Sequence, residues 1–153
     1  MNRRKFIKGS IALGALSFAY SWQIEPFWLE FVKLKMPIKH LPNKLVGSTL
    51  MQISDIHVGN RFDRKFITDS FKEAKKYQPD FVVYTGDFIH YESEEQFTQL
   101  EEVMNDVVLG KQGTVAVLGN HDYGDNWLQS EVADKVTHIL QKKGLTVLRN
   151  TQQ

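Results

Sequence analysis

The chain has 153 residues, a formal net charge of +1 and no cysteine. That length suffices for one domain with a real core, and the near-neutral balance argues against a nucleic-acid partner, which needs clustered Lys and Arg. Without cysteine there is no disulfide framework and no thiolate metal site, so any metal must be held by His, Asp, Glu or Asn.

Residues 1–21 read as a targeting segment. Asn2 to Lys8 is basic, and Ile11 to Tyr20 is apolar and small. A charged start followed by a short apolar run is the pattern of an export signal. The run is short of the ~20 apolar residues a bilayer span needs. Arg3-Arg4 followed by Phe6-Ile7-Lys8 resembles the bacterial twin-arginine signal, an address read by a receptor. That resemblance implies the twin-arginine export machinery as a partner. It implies a place beyond the inner membrane, in the periplasm, the cell wall or at the membrane surface, with membrane contact only through this segment. A basic amphipathic start on a cytosolic protein is the competing reading. Ser17-Phe18-Ala19 offers a weak small-x-small cleavage site, and an uncleaved anchor stays open beside it.

Residues 22–44 form a lead-in punctuated by Pro26, Pro37 and Pro42. In Trp28–Lys35 polar residues recur every second or third place, which predicts an edge strand with one solvated face. The alternative for Trp22, Phe27 and Trp28 is an aromatic belt at a membrane interface. From residue 45 strands and helices alternate. Thr49–Ile53 is a strand candidate, and 64–77 has apolar residues at helical spacing until Pro79 ends it. Phe81–Tyr84 is a short buried-type strand. Residues 94–109 read as a helix with Phe97, Leu100, Met104 and Val108 on one stripe. Thr114–Leu118 is a further strand, and 128–143 is a helix that Gly144 suits as its terminator. Leu145–Leu148 starts one more strand. This order predicts an α/β fold, a mostly parallel sheet with flanking helices and right-handed crossovers. Such sheets bind ligands beyond the carboxyl ends of their strands.

Polar clusters stand at those ends: Ser54-Asp55-Ile56-His57, Thr85-Gly86-Asp87 and Gly119-Asn120-His121-Asp122. They supply carboxylates, imidazoles and a carboxamide, a set suited to Mn, Fe or Zn. In an extended segment Asp55 and His57 share a face, because alternate side chains do. Gly86 and Gly119 permit a sharp turn or a close approach.

Asp55-x-His57, Gly86-Asp87 and Gly119-Asn120-His121-Asp122, about thirty residues apart and in this order, resemble the first signatures of the calcineurin-like metallophosphoesterases. The resemblance covers Leu45 to Leu148. It implies a centre of two divalent metal ions. Asp55 and His57 would bind the first metal, Asp87 would bridge both, and Asn120 would bind the second through its amide oxygen. His121 would stand near the phosphate as catalytic acid, and Asp122 would cap or brace the loop. Two ions roughly 3.5–4 Å apart activate a water and clamp a phosphoryl group, and an imidazole then protonates the leaving oxygen.

The sequence departs from this pattern in two places. Where some relatives carry an Asp that pairs with the catalytic His, this chain has His90, read here as exposed or as contacting substrate, with the exposed reading slightly favoured. His40 and His138 have no motif context and read as solvated. The resemblance also implies later Gly-His and Gly-His-x-His motifs, and no histidine follows His138. Residues 45–153 are therefore expected to be the N-terminal part of such a domain. The implied activity is hydrolysis of a phosphoester, by a phosphodiesterase, phosphomonoesterase or pyrophosphatase, on a substrate that is lipid- or wall-linked. A non-catalytic remnant is the alternative, and a nuclease fits the charge less well.

Overall fold

The computed structural model describes residues 3–60 and 63–150, which fall into two units, Met1–Pro37 and Ile38–Gln153. Asn2, at the head of the basic run, and the terminal Thr151 to Gln153 lie outside the described residues.

In the first unit helix α1 (Arg3–Gln23) runs through the predicted targeting segment. Ala12, Leu13, Ala15, Leu16 and Ala19 are strong helix formers, and Pro26 falls in the 3₁₀ turn Glu25–Phe27 that follows. Ile11, Leu13, Leu16, Phe18 and Trp22 are exposed and point to several sides of the helix. Among the described residues no helix is long and apolar enough to cross a membrane.

The edge strand expected at Trp28–Lys35 does not form. The segment carries no regular secondary structure, and no strand of the sheet includes it. Polar and apolar alternation says only that a segment suits a sheet edge. It does not by itself make a strand, which takes a regular ladder of backbone hydrogen bonds.

The second unit is built from β1 (Leu50–Ile53), α2 (Arg64–Lys75), β2 (Phe81–Tyr84), α3 (Glu95–Val103), β3 (Gly113–Ala116), α4 (Ser130–Lys142) and β4 (Thr146–Val147). The strands pair in the order β1-β2-β3-β4, and every pair is parallel. The predicted α/β architecture is thus what the chain adopts. Sequential order with crossovers of one hand puts the connecting helices on one face. In agreement, α2 packs on α3 and α3 packs on α4.

The helices of this unit bury most of the stripe their sequences announce, with Tyr77 and Leu128 left exposed. Ile67, Phe71 and Ala74 of α2 are buried, and so are Val132, Val136, Ile139 and Leu140 of α4. Asp63 caps α2 by accepting from the Lys65 amide at 2.9 Å. Gly144, at φ 90°, ends α4 in the left-handed conformation that glycine adopts most cheaply. On the strands Val82, Tyr84, Thr114 and Ala116 face this layer and are buried, while their neighbours Phe81, Val83 and Val115 on the other face are only half-buried.

Among the boundaries that differ from expectation are the end of α3 and the start of α4. The helix predicted through Leu109 gives way after Val103 to a 3₁₀ turn, Met104–Asp106. Val108 is instead bound through its backbone to the Tyr84 hydroxyl, which donates to its carbonyl at 3.0 Å and accepts from its amide at 3.1 Å. At α4 the helix begins at Ser130, leaving Leu128 exposed in the loop before it.

Register decides where the chemistry stands. Ile53 lies beside Tyr84, and Tyr84 beside Ala116, so the strands end level. The loops after β1, β2 and β3 leave from one edge. The first two stay zipped beyond the sheet: the amides of Asp55, His57 and Val58 donate to the carbonyls of Gly86, Asp87 and Phe88 at 3.1, 2.9 and 2.8 Å.

Candidate metal centre

Asp55 and His57 follow β1, Asp87 follows β2, and Asn120 and His121 follow β3. The side chains of the first two loops meet. His57 Nε2 lies 3.6 Å from Asp55 Oδ1 and 3.8 Å from Asp87 Oδ2. The geometry that brings Asp55 and His57 together is not the extended pleat expected from their spacing. Both residues have left-handed backbones, φ 55° and 46°, and Asp87 does too at 56°. Non-glycine residues in this region are uncommon and cost about 1–3 kcal/mol each. Three of them at adjoining strand ends mark a place where the fold holds side chains against local preference.

Asp87 ties the second loop to the third. Its Oδ1 accepts from the His121 amide at 3.0 Å, which leaves Oδ2 turned towards His57. Gly119 makes this possible, since a Cβ there would run into the Asp87 carboxylate. Gly86, at φ 98°, packs against the Gly119 backbone with no room for a side chain. Both glycines therefore serve close approach, as their placement after the strands suggested.

Asp122 braces the assembly from beneath. It is fully buried, and its oxygens accept from the amides of Asp87, Phe88, Ile89 and Gly119 at 2.7–3.1 Å. Burial pushes its carboxyl up to about 6, with the Gly119, Ile89 and Phe88 amides pulling the other way. Every Asp122 oxygen is engaged with backbone, so its part is to fix the Asp87 and Gly119 loops.

Asn120 is exposed beside His121, and its carbonyl accepts from the Tyr123 amide at 3.1 Å in the 3₁₀ turn His121–Tyr123. His90, favoured above as exposed, is instead half-buried. Its ring centroid is 5.3 Å from that of His121 and 6.4 Å from that of His57. The cause is the zipped loop pair: the His90 amide donates to the Val58 carbonyl at 2.9 Å, which turns the residue back over the site. The signal available in the sequence was its place three residues after Asp87. His40 and His138 are exposed, as expected.

These residues suit a divalent cation. Separations of 3.6 and 3.8 Å are too long for hydrogen bonds, yet they are close to the spacing of donors around one ion held at about 2.0–2.2 Å. Burial holds the His57 imidazole below its ordinary range, with Asp87 pulling upward and His121 adding to the fall. Its neutral form is the one that binds metal. The buried Nδ1 atoms of His57 and His90 have no hydrogen-bond partner among the described residues. One group of possible ligands is Asp55, His57 and Asp87, and a second is His57, His90 and His121.

Residues 48–147 match the family of calcineurin-like phosphoesterases. The chain belongs to that family. Among its relatives is the metallophosphoesterase YkuE of Bacillus subtilis, 30% identical over 134 residues, 81% of this chain and 46% of that protein. The UDP-2,3-diacylglucosamine pyrophosphatase LpxG of Chlamydia muridarum is 26% identical over 129 residues, 84% of this chain and 39% of that protein. A zebrafish transmembrane protein with a metallophosphoesterase domain is 29% identical over 94 residues, 60% of this chain and 21% of that protein. The chain thus spans less than half the length of these curated relatives.

Proposed function

We propose that the full-length protein is a metal-dependent phosphoester hydrolase that works in the cell envelope. The observation that carries this reading is the convergence of Asp55, His57 and Asp87 at the carboxyl edge of a parallel sheet, with His121 tied to Asp87. Asp55 and His57 would hold one divalent ion, Asp87 would stand between two, and Asn120 would offer its amide oxygen to the second. Such ions, when bound, activate water and neutralise phosphoryl charge.

The chain's own residues supply the rest. The Asp87 Oδ1 bond to the His121 amide fixes the start of the third loop relative to the carboxylates. Asp122 holds the same two loops from below, so the donors need little rearrangement on binding. His121, half-buried beside them, would hold a proton for a leaving oxygen. A pyrophosphate or phosphodiester of a lipid-like or wall-linked substrate suits the reading, in keeping with the pyrophosphatase among the relatives. Export by the twin-arginine route is part of the same reading and rests on Arg3-Arg4 and the apolar stretch that follows.

The test is turnover of bis(p-nitrophenyl) phosphate and p-nitrophenyl phosphate by the full-length gene product with Mn(II). Asp87→Asn and His121→Ala are each expected to lower turnover by at least ~10²-fold. Full turnover in Asp87→Asn, or in the presence of a chelator, would overturn the proposal.

A further inference from the structure

Residues 28–36 have no place in the sheet, yet they carry a pattern. From Trp28 to Ile38 the chain runs without helix, strand, turn or bend. In such an extended run alternate side chains share a side. Trp28, Val32, Leu34 and Met36 fall on one side, with Glu30 among them, and Lys33 and Lys35 fall on the other. Val32 and Leu34 are 71% and 81% exposed, and Trp28 and Met36 are exposed as well. We propose that this segment docks the protein on an anionic lipid bilayer, its apolar side entering the headgroup boundary and its lysines meeting the lipid phosphates.

The first argument is exposure. Single apolar residues on a surface are ordinary, but a row of them on one side marks a place where something binds. Burying such a row in a lipid boundary removes it from water without asking for a shaped pocket.

The second is charge. Lys33, Lys35, Lys39 and Lys44 follow Trp28 against the single acidic residue Glu30 before Leu45. Lys33 and Lys35 are exposed. Basic segments are drawn to the negative potential of anionic leaflets. Lysine stems are long enough to bring the ammonium group back to the headgroups while the neighbouring apolar side chains enter the boundary.

The third is tryptophan. Trp22 and Trp28 are both exposed, and this residue favours the membrane–water interface. The Trp28 amide donates to the Glu25 carbonyl at 3.1 Å, so the turn after α1 fixes the start of the segment. Alternation also suits pairing with a strand of another protein, but lysines on a strand oppose such pairing. A tryptophan-led row beside lysines matches a lipid surface better. The segment also lies beyond Ser17-Phe18-Ala19, so cleavage there leaves it on the protein.

The 153-residue chain has no cysteine, so Leu34→Cys and Lys33→Cys each give one labelling site for an environment-sensitive dye. With phosphatidylglycerol vesicles, emission at position 34 is expected to rise severalfold and shift to the blue. Emission at position 33 should change much less, because neighbouring residues face opposite sides. Phosphatidylcholine vesicles should give weak responses at both. In the unlabelled chain, Lys33→Glu with Lys35→Glu should weaken co-sedimentation with phosphatidylglycerol vesicles by at least about tenfold, and Leu34→Asp should do the same. Lys111→Glu, an exposed lysine elsewhere, should change it little. Equal responses at positions 33 and 34, which attachment through α1 alone predicts, would overturn the proposal. So would undiminished vesicle affinity in the lysine double variant. Hydrolysis is judged separately, by Asp87→Asn turnover, and neither result here bears on it.

Discussion

At the scale of single residues, Asp122 explains how loops from two strands hold one shape. Its carboxylate takes the amides of Asp87, Phe88, Ile89 and Gly119 in a fully buried position. Asp122→Ala leaves those amides without an acceptor. A buried unsatisfied donor costs about 1–3 kcal/mol, and relaxation of the loops recovers part of the sum. Destabilisation of about 3 kcal/mol or more is expected, read as a lower urea midpoint with unchanged m-value. Asp122→Asn is expected to fall between Ala and wild type, since it keeps one acceptor and turns an amino group towards backbone donors. Gly119→Ala acts on the same joint from the other side: its methyl group meets the Asp87 carboxylate. Overpacking of this kind costs about 1–3 kcal/mol, and Mn(II) affinity, measured calorimetrically, should fall with it because Asp87 is the group displaced. The identity of these residues was legible in sequence, because Asp, His, Gly and Asn recur just past apolar runs. The bracing role of Asp122 was legible as well. The left-handed backbones of Asp55, His57 and Asp87 were not, since spacing carries no information on φ. The position of His90 was misjudged because burial there depends on pairing between two loops distant in sequence.

At the scale of elements, the strands and helices largely followed their apolar periods, and α3 ends early where a tertiary bond overrides periodicity. Val108 continues the stripe of Phe97, Leu100 and Met104, so the pattern extends the helix through it. The structure instead spends the Val108 amide and carbonyl on the Tyr84 hydroxyl. That hydroxyl is deeply buried, and burial drives its ionisation far above the ordinary tyrosine range. It therefore stays protonated and able to donate. Tyr84→Phe is expected to cost about 1–3 kcal/mol, because both Val108 backbone groups lose a buried partner while the ring packing on Phe71 and Phe88 survives. Thermal unfolding of the variant checks this. Amide exchange at Val108 should accelerate more than exchange at Ile67 in α2, which a uniform loss of stability would not produce.

For the whole molecule, the order of elements was enough to give parallel pairing and the working edge of the sheet, because each strand is separated from the next by a helix. The extra strand at Trp28–Lys35 does not form, since alternation alone does not specify a backbone ladder. The remaining whole-molecule question is the proposed destination. Helix α1 starts at Arg3, so the arginine pair sits in its first turn. Exchanging Arg3 and Arg4 for Lys keeps both positive charges and nearly the same helix propensity. What is lost is the planar guanidinium, with its forked donors that match carboxylates bidentately, which an ammonium does not reproduce. A receptor that reads the pair as an address should reject the variant, whereas attraction by charge alone should tolerate it. The expected outcome is therefore normal synthesis of the Arg3→Lys, Arg4→Lys protein with its accumulation in the cytoplasm, seen by cell fractionation beside the parent. A single replacement that leaves one arginine should give an intermediate defect. Equal export of the double variant and the parent would mean that the segment is not read as a twin-arginine signal, and the envelope location proposed for the enzyme would lose its support.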